Sequence, residues 1–198
     1  MFDTPHLSPF RGPTLRADCA VLWMMATLAV CCGFVLNQVR PRPLPLVYVS
    51  KAERVAQAAE RIAREMQTMP GSFDASEGEG VSEEKFHMLD LAAFVEMRKE
   101  FPDALLLDAR PEVFHRLGHI PQALSLPCDE FEDFYKAQRD ILEKSKSRPV
   151  LVYCSGGSCD DGKMVAGALV RLGFTQVYLF KGGWDAWTQA KLPEEKGR

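Results

Sequence analysis

The sequence has little of what marks metal-binding and nucleic-acid-binding proteins. Its 198 residues include six cysteines, but no CxxC pair repeats, which argues against the usual zinc-binding pattern. The formal net charge is −3, so no basic excess points to a nucleic-acid partner. A hydrophobic content of 46% is enough for a packed core. We therefore expect neither a metal nor a nucleic acid, and a chain of one domain with additions or of two small domains.

One long stretch lacks charge altogether. Residues 19–39, CAVLWMMATLAVCCGFVLNQV, contain no Asp, Glu, Lys or Arg. As a helix the stretch would span roughly 31 Å, close to the hydrocarbon thickness of a bilayer. A buried core helix is the alternative, but such helices are seldom this long and uncharged. No small-x-small site closes the run, which disfavours a cleaved signal peptide, and the bulky Val30 before Cys31 disfavours a lipoprotein site. We predict a transmembrane helix.

The predicted localisation is therefore a single-pass membrane protein. The basic residues after the span outnumber those before it, which favours a cytoplasmic domain: Arg40, Arg42, Lys51 and Arg54 against Arg11 and Arg16. A short N-terminal tail, which commonly stays inside, favours the opposite orientation. The two indications oppose each other, and the side of the membrane is left open.

The other N-terminal segments have distinct compositions. Residues 1–18 are predicted to be a disordered tail, and residues 40–81 to contain a stiff proline-rich stretch, a helix at 51–69 and a flexible linker. The helix has an i,i+4 pair, Glu60 and Arg64, and an apolar stripe: Ala52, Val55, Ala59, Ile62, Met66 and Met69. Such a stripe usually packs on its own domain. The alternative is a short coiled coil, and hence a weak homodimer through this helix.

From residue 82 to residue 198, strand and helix patterns alternate. Short apolar runs predict strands at 86–89, 104–108, 123–126, 150–154 and 177–180. Helical patterns follow them at 90–100, 111–117, 129–143, 161–172 and 184–190. This alternation predicts an α/β domain with a mainly parallel five-stranded sheet covered on both faces. In such a sheet the active site lies beyond the carboxyl ends of the strands.

The segment most informative about chemistry is VLVYC-SGGSCDDG. An apolar strand ends at Cys154, a glycine-containing loop follows, and a helix begins near Asp161. Backbone N–H groups turned into such a loop, together with the positive end of the helix, form an anion nest that stabilises a thiolate or persulfide. Gly156 and Gly157 suit such a loop because it needs positive φ angles. The alternative is a tight turn around a buried, inert cysteine.

Five motifs in this half of the chain resemble the rhodanese family. They are Leu107–Arg110, Gly118–Leu124, Val152–Cys154, Ala168–Phe174 and Leu179–Trp187. In order, they match the family's Asp-x-Arg, its GHIPGA segment, the strand entering the active loop, the helix ending in Gly-Phe and the closing GG-x-x-x-W. The resemblance implies a single rhodanese-like three-layer domain, preceded here by one transmembrane helix and a linker helix.

The resemblance also implies a persulfide mechanism without metal or organic cofactor. The Cys154 thiolate would take a sulfane sulfur from a small donor, such as thiosulfate or another persulfide, and pass it to an acceptor thiol, a protein thiol among the candidates. The implied substrate-binding residues are those of the loop and one arginine: Ser155, Gly156, Gly157, Ser158, Cys159, Asp160 and Arg110. Asp108 and His119 are expected to brace neighbouring loops.

The loop departs from the family at one position. Many active rhodaneses have Arg five residues after the cysteine, where this chain has Cys159. Loss of that cation, together with Asp160 and Asp161, predicts a rim less favourable to thiosulfate and argues against a C-x5-R phosphatase. Lys163, a turn into the helix, is a candidate for part of the missing charge.

Cys159 is also a candidate resolving cysteine that could form a disulfide with Cys154. Three functions are therefore left open by the sequence. The leading one is a membrane-anchored sulfurtransferase or persulfide carrier. The others are a thiol–disulfide redox protein using both cysteines, and a catalytically silent rhodanese module used for binding.

Overall fold

The computed structural model describes residues 15–40, 48–68, 86–157 and 160–197. The chain divides into two units, Met1–Tyr48 and Val49–Arg198. Several predictions fall outside the described residues: most of the N-terminal tail, nearly all of the proline-rich stretch, the linker after the second helix, and the side chains of Ser158 and Cys159.

The N-terminal unit contains helix α1 (Leu15–Val39), which begins one turn before the predicted span. Its apolar window has a mean hydropathy of 2.3, and side chains such as Trp23 are exposed. The hydroxyl of Thr27 donates to the carbonyl oxygens of Trp23 and Met24 at 3.0 and 2.9 Å, so this polar group is satisfied within the helix. A helix of this length and composition can cross a bilayer, a property that membrane anchors and signal sequences share.

The second unit is built on a five-stranded sheet. Its strands are β1 (His87–Leu89), β2 (Leu105–Asp108), β3 (Leu124–Ser125), β4 (Val150–Tyr153) and β5 (Val177–Phe180). Their spatial order is β1-β5-β4-β2-β3, and every neighbouring pair is parallel. This confirms the predicted α/β architecture, with a sheet that is parallel throughout.

The carboxyl ends of three neighbouring strands lie in register. Asp108 pairs with Tyr153, and Tyr153 pairs with Phe180. The backbone N–H of Ala109 donates to the carbonyl oxygen of Tyr153 at 2.8 Å, which carries the pairing one residue further. The residues that follow these strands, Cys154 among them, therefore meet at one edge of the sheet.

Helices cover both faces of the sheet. They are α2 (Lys51–Gln67), α3 (Leu91–Glu100), α4 (Glu112–Leu117), α5 (Phe131–Ala137), α6 (Arg139–Lys144), α7 (Asp160–Arg171) and α8 (Gly183–Gln189). Buried side chains of α2, α5, α6 and α7 form one core cluster, and those of α3 and α8 form the other. Alternate residues of β4 enter the two clusters, with Val152 on one face and Tyr153 on the other. The three-layer arrangement is confirmed.

The single helix predicted at 129–143 is wrong. The segment forms a 3₁₀ turn (Cys128–Glu130) followed by α5 and α6, which are separated at Gln138. Gln138 leaves helical geometry, with φ −110° and ψ 16°, and its side-chain amide donates to the carbonyl oxygen of Ser125 at 2.8 Å. This bond between the helix junction and the end of β3 accompanies the break, and local sequence periodicity does not reveal it.

Helix α2 packs on the domain that follows it. The hydroxyl of Ser50 caps its first turn, and its buried residues are Val55, Ala58, Ala59 and Ile62. The Glu60–Arg64 pair is confirmed at 3.2 Å, and Arg61 adds a 2.7 Å ion pair to Glu132 on α5. The predicted domain start at residue 82 leaves this helix outside, whereas the structure includes it in the second unit. The apolar face that a coiled coil would use is covered by the chain's own α5 and α7.

Candidate active site

A buried ion pair follows β2. Arg110 donates from Nε to Oδ1 of Asp108 at 3.0 Å and from Nη2 to Oδ2 at 2.7 Å, and both residues are almost fully buried. The same Nη2 donates to the carbonyl oxygen of Gly118 at 2.7 Å. Burial alone would raise the pKa of Asp108, but hydrogen bonds from His115 and Arg110 and the charge of Arg110 lower it below its ordinary value. The charge of Arg110 is thus compensated.

Tyr153, the residue before Cys154, joins this ion pair to the GHIPQA segment. Its hydroxyl donates to Oδ2 of Asp108 at 2.8 Å and accepts from the backbone N–H of Ile120 at 3.2 Å. Burial, then the charge of Asp108, raises the pKa of Tyr153 far above its ordinary value, so the phenol stays protonated. Three motifs that are far apart in the sequence are therefore connected through one buried side chain.

His119 lies in the turn after α4. Its Nδ1 is 2.8 Å from the carbonyl oxygen of His115, which can only accept, so Nδ1 carries the proton. The two imidazole rings stack at 3.9 Å, and the backbone of His119 exchanges two hydrogen bonds with that of Glu195. These contacts of His119, like those of Asp108, are the contacts of a bracing residue.

Cys154 directly follows the central strand β4. Its side chain belongs to the core cluster on the α7 face and is buried. The first turn of α7 lies close to it: a Cβ at Gly162 would be 3.5 Å from the Cβ of Cys154 and 2.9 Å from Cδ1 of Leu179. The missing side chain at Gly162 therefore lets α7 pack closely against Leu179 of β5, beside Cys154.

The backbone of the loop is held by the Gly182–Gly183 turn. The N–H of Trp184 donates to the carbonyl oxygen of Cys154 at 2.7 Å, and the N–H of Asp185 donates to that of Ser155 at 2.8 Å. Gly183 has φ +56°, and a Cβ there would collide with the carbonyl oxygen of Cys154. The closing glycine pair thus fixes the position of the cysteine.

The described part of the loop has the predicted glycine geometry. Gly156 has φ +141° and Gly157 has φ +65°, so the expectation of positive φ angles is confirmed. The predicted anion nest also requires Ser158 and Cys159, which lie outside the described residues. The nest therefore stays a prediction.

Comparison with known families matches residues 91–190 to the rhodanese-like domain. The match covers about half of the chain and includes the Asp108–Arg110 pair, the Cys154 loop and the Gly182–Gly183 turn. The chain belongs to the rhodanese-like domain family.

The curated relatives of this rhodanese-like chain include tRNA uridine(34) hydroxylases. The protein from Erwinia tasmaniensis is 30% identical over 112 residues, which are 53% of this chain and 31% of that protein. The protein from Escherichia coli K12 is 29% identical over 93 residues, which are 46% of this chain and 26% of that protein. The match thus spans less than a third of these relatives.

Solved structures that are similar to this chain include another rhodanese-like domain and a sulfurtransferase. A rhodanese-like domain from Anabaena sp. is 29% identical, with a TM-score of 0.44 over 58% of this chain and 80% of that chain. A thiosulfate sulfurtransferase from Pseudomonas aeruginosa is 18% identical, with a TM-score of 0.45 over 73% of this chain and 23% of that chain.

The two carboxylates at the start of α7 are both paired with lysines. Lys51 of α2 lies 3.0 Å from Asp161 and 3.0 Å from Asp129, and Lys163 lies 3.4 Å from Asp160. Burial opposes the charged form of Lys51, but hydrogen bonds to the two carboxylates raise its pKa above its ordinary value. Lysines therefore lie beside both carboxylates, and the predicted effect of Asp160 and Asp161 on thiosulfate binding stays a prediction.

A cavity of about 360 Å³ lies on one side of the rhodanese-like loop. It is lined by Arg110, Phe114, Leu117, Gly118, Ser155, Trp184 and Asp185. Two predicted binding residues, Ser155 and Arg110, thus meet here, whereas Asp160 does not line this cavity. The other lining residues were not predicted as site residues, and two of them, Phe114 and Leu117 of α4, are exposed apolar side chains.

A second, much smaller cavity of about 10 Å³ lies beside the cysteine. It is lined by Met88, Cys154, Gly157, Lys163, Leu179, Phe180 and Lys181. Cys154, Gly157 and Lys163 were predicted from the sequence as residues of the site or its rim. Lys181 was not predicted, because it follows β5 and lies 27 residues along the chain from Cys154.

The cysteines differ in redox state. Cys154 is disulfide-bonded, whereas Cys19, Cys31, Cys32 and Cys128 have free thiols. Burial, then the charge of Asp161, raises the pKa of Cys128 to about 12, so this thiol stays protonated and inert near neutral pH. Cys159 lies outside the described residues.

Proposed function

We propose that this protein is a membrane-anchored carrier of sulfane sulfur that uses Cys154 as its nucleophile. The observation that supports the proposal is the position of Cys154 at the carboxyl end of the central strand, with its carbonyl held by Trp184 and a small cavity beside its side chain. Membership of the rhodanese-like family agrees with it.

The proposed reaction has two steps without net oxidation. The Cys154 thiolate attacks the outer sulfur of thiosulfate, a new S–S bond forms at Cys154, and the donor's S–S bond breaks as sulfite leaves with the electron pair. An acceptor thiolate then attacks the outer sulfur of the persulfide, and Cys154 leaves as a thiolate. The loop from Ser155 to Asp160 would surround the carried sulfur.

The large cavity is the proposed route of the acceptor thiol. It reaches Ser155, next to the nucleophile, and its wall combines exposed apolar side chains with Arg110. Because Asp108 compensates the charge of Arg110, this wall combines apolar surface with the carboxylate of Asp185. Such a surface suits a small organic thiol or a protein thiol.

Intact-mass measurement tests the sulfur-carrier proposal. The reduced full-length protein in detergent should gain one sulfur after thiosulfate or polysulfide, and Cys154→Ser should gain none. Cys128→Ser is the matched control, because Cys128 is also buried but has a protonated thiol. Sulfur gain by the Cys154→Ser variant, or no gain by the wild type, would overturn the proposal.

The anchor is a separate part of the proposal. Residues 19–39 of α1 contain no charged side chain, and their large apolar side chains, such as Trp23 and Leu28, are exposed. Deletion of residues 1–42 should release the protein from the membrane fraction. N-terminal sequencing of the protein from cells distinguishes the alternatives, because a cleaved signal sequence would leave a shortened chain.

A second candidate function, thiol–disulfide exchange, is favoured by the disulfide at Cys154. The proposed partner is Cys159, the resolving cysteine that the sequence predicts. The persulfide of Cys154 and the thiol of Cys159 would give the disulfide and hydrogen sulfide, which balances without an added oxidant. Mild peroxide could form the same bond and would be reduced to water.

Counting free thiols in the reduced protein, before and after mild peroxide, tests this second candidate. Loss of the Cys154 and Cys159 thiols together, reversed by a reductant, supports it. Retention of both thiols, or oxidation at Cys154 alone, contradicts it. The variant Cys159→Arg supplies the family's usual cation in place of the resolving thiol, and it should raise thiosulfate turnover while abolishing the disulfide.

A further inference from the structure

We propose that the acceptor of the carried sulfur is a protein cysteine with basic and apolar residues beside it, and that Asp185, Glu194 and helix α4 select it. The inference rests on the proposed function and names the class of acceptor that the large cavity admits. It concerns the wall that α4 and the start of α8 form, and not the small cavity beside Cys154.

The cation in this wall is already neutralised. Nη2 of Arg110 lies 2.7 Å from Oδ2 of Asp108, and the guanidinium lies over the ring of Trp184, 4.5 Å from its centroid. Two lysines near the loop, Lys163 and Lys181, line the small cavity instead. A buried guanidinium that is paired in this way contributes little positive potential to the large cavity.

Two carboxylates beside the cavity have no cationic partner among the described residues. Asp185 lines the cavity and is exposed, and its Oδ2 would be 2.9 Å from a Cβ at Gly156 in the loop. Glu194 is also exposed, and its Oε2 would be 3.8 Å from a Cβ at Gly118, another residue of the lining. The cavity is therefore complementary to a cationic group on the acceptor.

Helix α4 adds an exposed apolar surface to the same wall. Phe114 and Leu117 line the cavity and are 51% and 68% exposed. Val113 is 59% exposed and lies four residues before Leu117, on the same side of the helix, but outside the lining of the cavity. Grouped apolar side chains of this kind mark a contact with another molecule. A protein segment can cover this surface and the cavity together, whereas a small free thiol cannot.

The position of Asp185 relative to the loop places the cation next to the acceptor thiol. The N–H of Asp185 donates to the carbonyl oxygen of Ser155 at 2.8 Å, and Ser155 directly follows the nucleophile. A lysine or arginine adjacent to the acceptor cysteine would therefore lie near this carboxylate. The same basic neighbour would favour the thiolate of the acceptor, which is the attacking form.

Sulfur transfer to matched peptides tests the charge selection. The reduced full-length protein in detergent is loaded with polysulfide, and complete loading is checked by mass before a peptide is added. Each peptide has one cysteine between two lysines or between two glutamates, preceded by a leucine. The wild type should prefer the lysine peptide, and Asp185→Asn/Glu194→Gln should lower the ratio of the two rates roughly threefold to tenfold. Comparing this ratio between proteins cancels the intrinsic reactivity of each peptide thiol.

The matched control is Glu100→Gln/Asp103→Asn, which removes the same charge from two exposed residues. They lie between the end of α3 and the start of β2, at the edge of the sheet opposite the loop. The rate ratio of this control should equal that of the wild type. An unchanged ratio in Asp185→Asn/Glu194→Gln overturns the inference while the sulfur-carrier proposal stands. A wild type that forms no persulfide on Cys154 overturns both.

The apolar contact is tested with the lysine peptide and a copy that has serine in place of leucine. The copy should accept sulfur roughly twofold to fivefold more slowly from the wild type, because it loses apolar burial against α4. From Val113→Ser/Leu117→Ser, which changes two exposed side chains, the two peptides should react alike. A leucine effect of the same size in both proteins, or none in the wild type, overturns the assignment of a protein cysteine.

Discussion

Two ion pairs flank the loop of Cys154, and they differ chiefly in burial. Asp108 and Arg110 lie behind the loop with side-chain exposures of 0% and 4%, whereas Lys51 and Asp161 lie at its α7 side with exposures of 32% and 28%. The distances are alike, at 2.7 and 3.0 Å. Similar geometry therefore occurs in two very different dielectric environments.

Because the two pairs differ in burial, we expect the Asp108–Arg110 pair to affect stability and the Lys51–Asp161 pair to affect function. A buried charge that loses its partner must remain desolvated and unpaired, whereas an exposed one is solvated by water. The Asp108 cluster should therefore control whether the domain folds. The Lys51–Asp161 pair should barely affect folding, and should act through the potential that it sets at the loop.

The largest expected effect comes from breaking the buried pair. Asp108→Ala leaves Arg110 buried without its carboxylate and removes the acceptor of the Tyr153 hydroxyl. We expect a loss of about 3–5 kcal/mol in the free energy of unfolding, measured by denaturant titration of tryptophan fluorescence.

Arg116→Gln is the control for that loss, because it breaks the exposed Arg116–Glu112 pair and should cost less than about 1 kcal/mol. Equal losses in the two variants would remove the distinction between buried and exposed pairs.

The next effect concerns the turn that holds the loop. Gly183→Ala combines a strained positive φ with a collision against the carbonyl oxygen of Cys154, so we expect about 1–3 kcal/mol of destabilisation and slower persulfide loading. Gly173→Ala has a similar φ, +90°, but a Cβ there meets no atom within 4 Å. It should be the milder of the two in thermal unfolding and should leave loading unchanged. The reverse order would contradict a positional role for Gly183.

The buried pair should make the unfolding free energy of the wild type depend on pH. Because the folded-state pKa of Asp108 is lowered, its contribution is complete above the ordinary pKa of Asp, about 3.9, and is lost as pH falls through the lowered value. Unfolding free energy should therefore decrease with acid below about pH 4. In Asp108→Asn this part of the pH dependence should be absent. If the unfolding free energy of that variant still decreases with acid as in the wild type, other carboxylates dominate the pH dependence.

The smallest effect on stability, and the most selective on function, is expected at the exposed pair. Lys51→Gln leaves Asp161 uncompensated, so loading from the anionic donor thiosulfate should slow roughly twofold to fivefold. The second change Asp161→Asn should restore the rate. Arg61→Gln, which breaks the Arg61–Glu132 pair on the same helix, should leave loading unchanged. A Lys51→Gln defect that Asp161→Asn does not rescue would point to a packing effect.

The fold was predictable because its cues are local. The apolar run Val150–Tyr153 forms a strand by itself, the capping Asp90 directly precedes α3, and Gly173 lies two residues after the end of α7. The break at Gln138 was not predictable, because it accompanies a hydrogen bond to Ser125, thirteen residues earlier. Periodicity in a single segment carries no information about such a partner.

The candidate site was predictable where motifs mark it, and not where distant side chains complete it. Cys154 and the glycines of its loop follow from the sequence around them. The bond from Lys51 to Asp161 spans 110 residues, and that from Tyr153 to Asp108 spans 45. Neither pair has a spacing that a helix or strand would require, so only the folded chain shows that they meet.

Helix α2 decides where the domain can be cut. A fragment that starts at Ser82 would expose the face of α7 that α2 covers, and contiguous apolar surface of this kind promotes aggregation. A fragment that starts at Val49 retains α2, so this face of α7 stays covered. The helix is held by its side chains, through Val55, Ile62 and the ion pairs of Lys51 and Arg61. A synthetic peptide of residues 49–68 should therefore bind the shorter fragment and restore the folded domain. Titrating the fragment with this peptide would then measure the affinity of α2 for the rest of the domain.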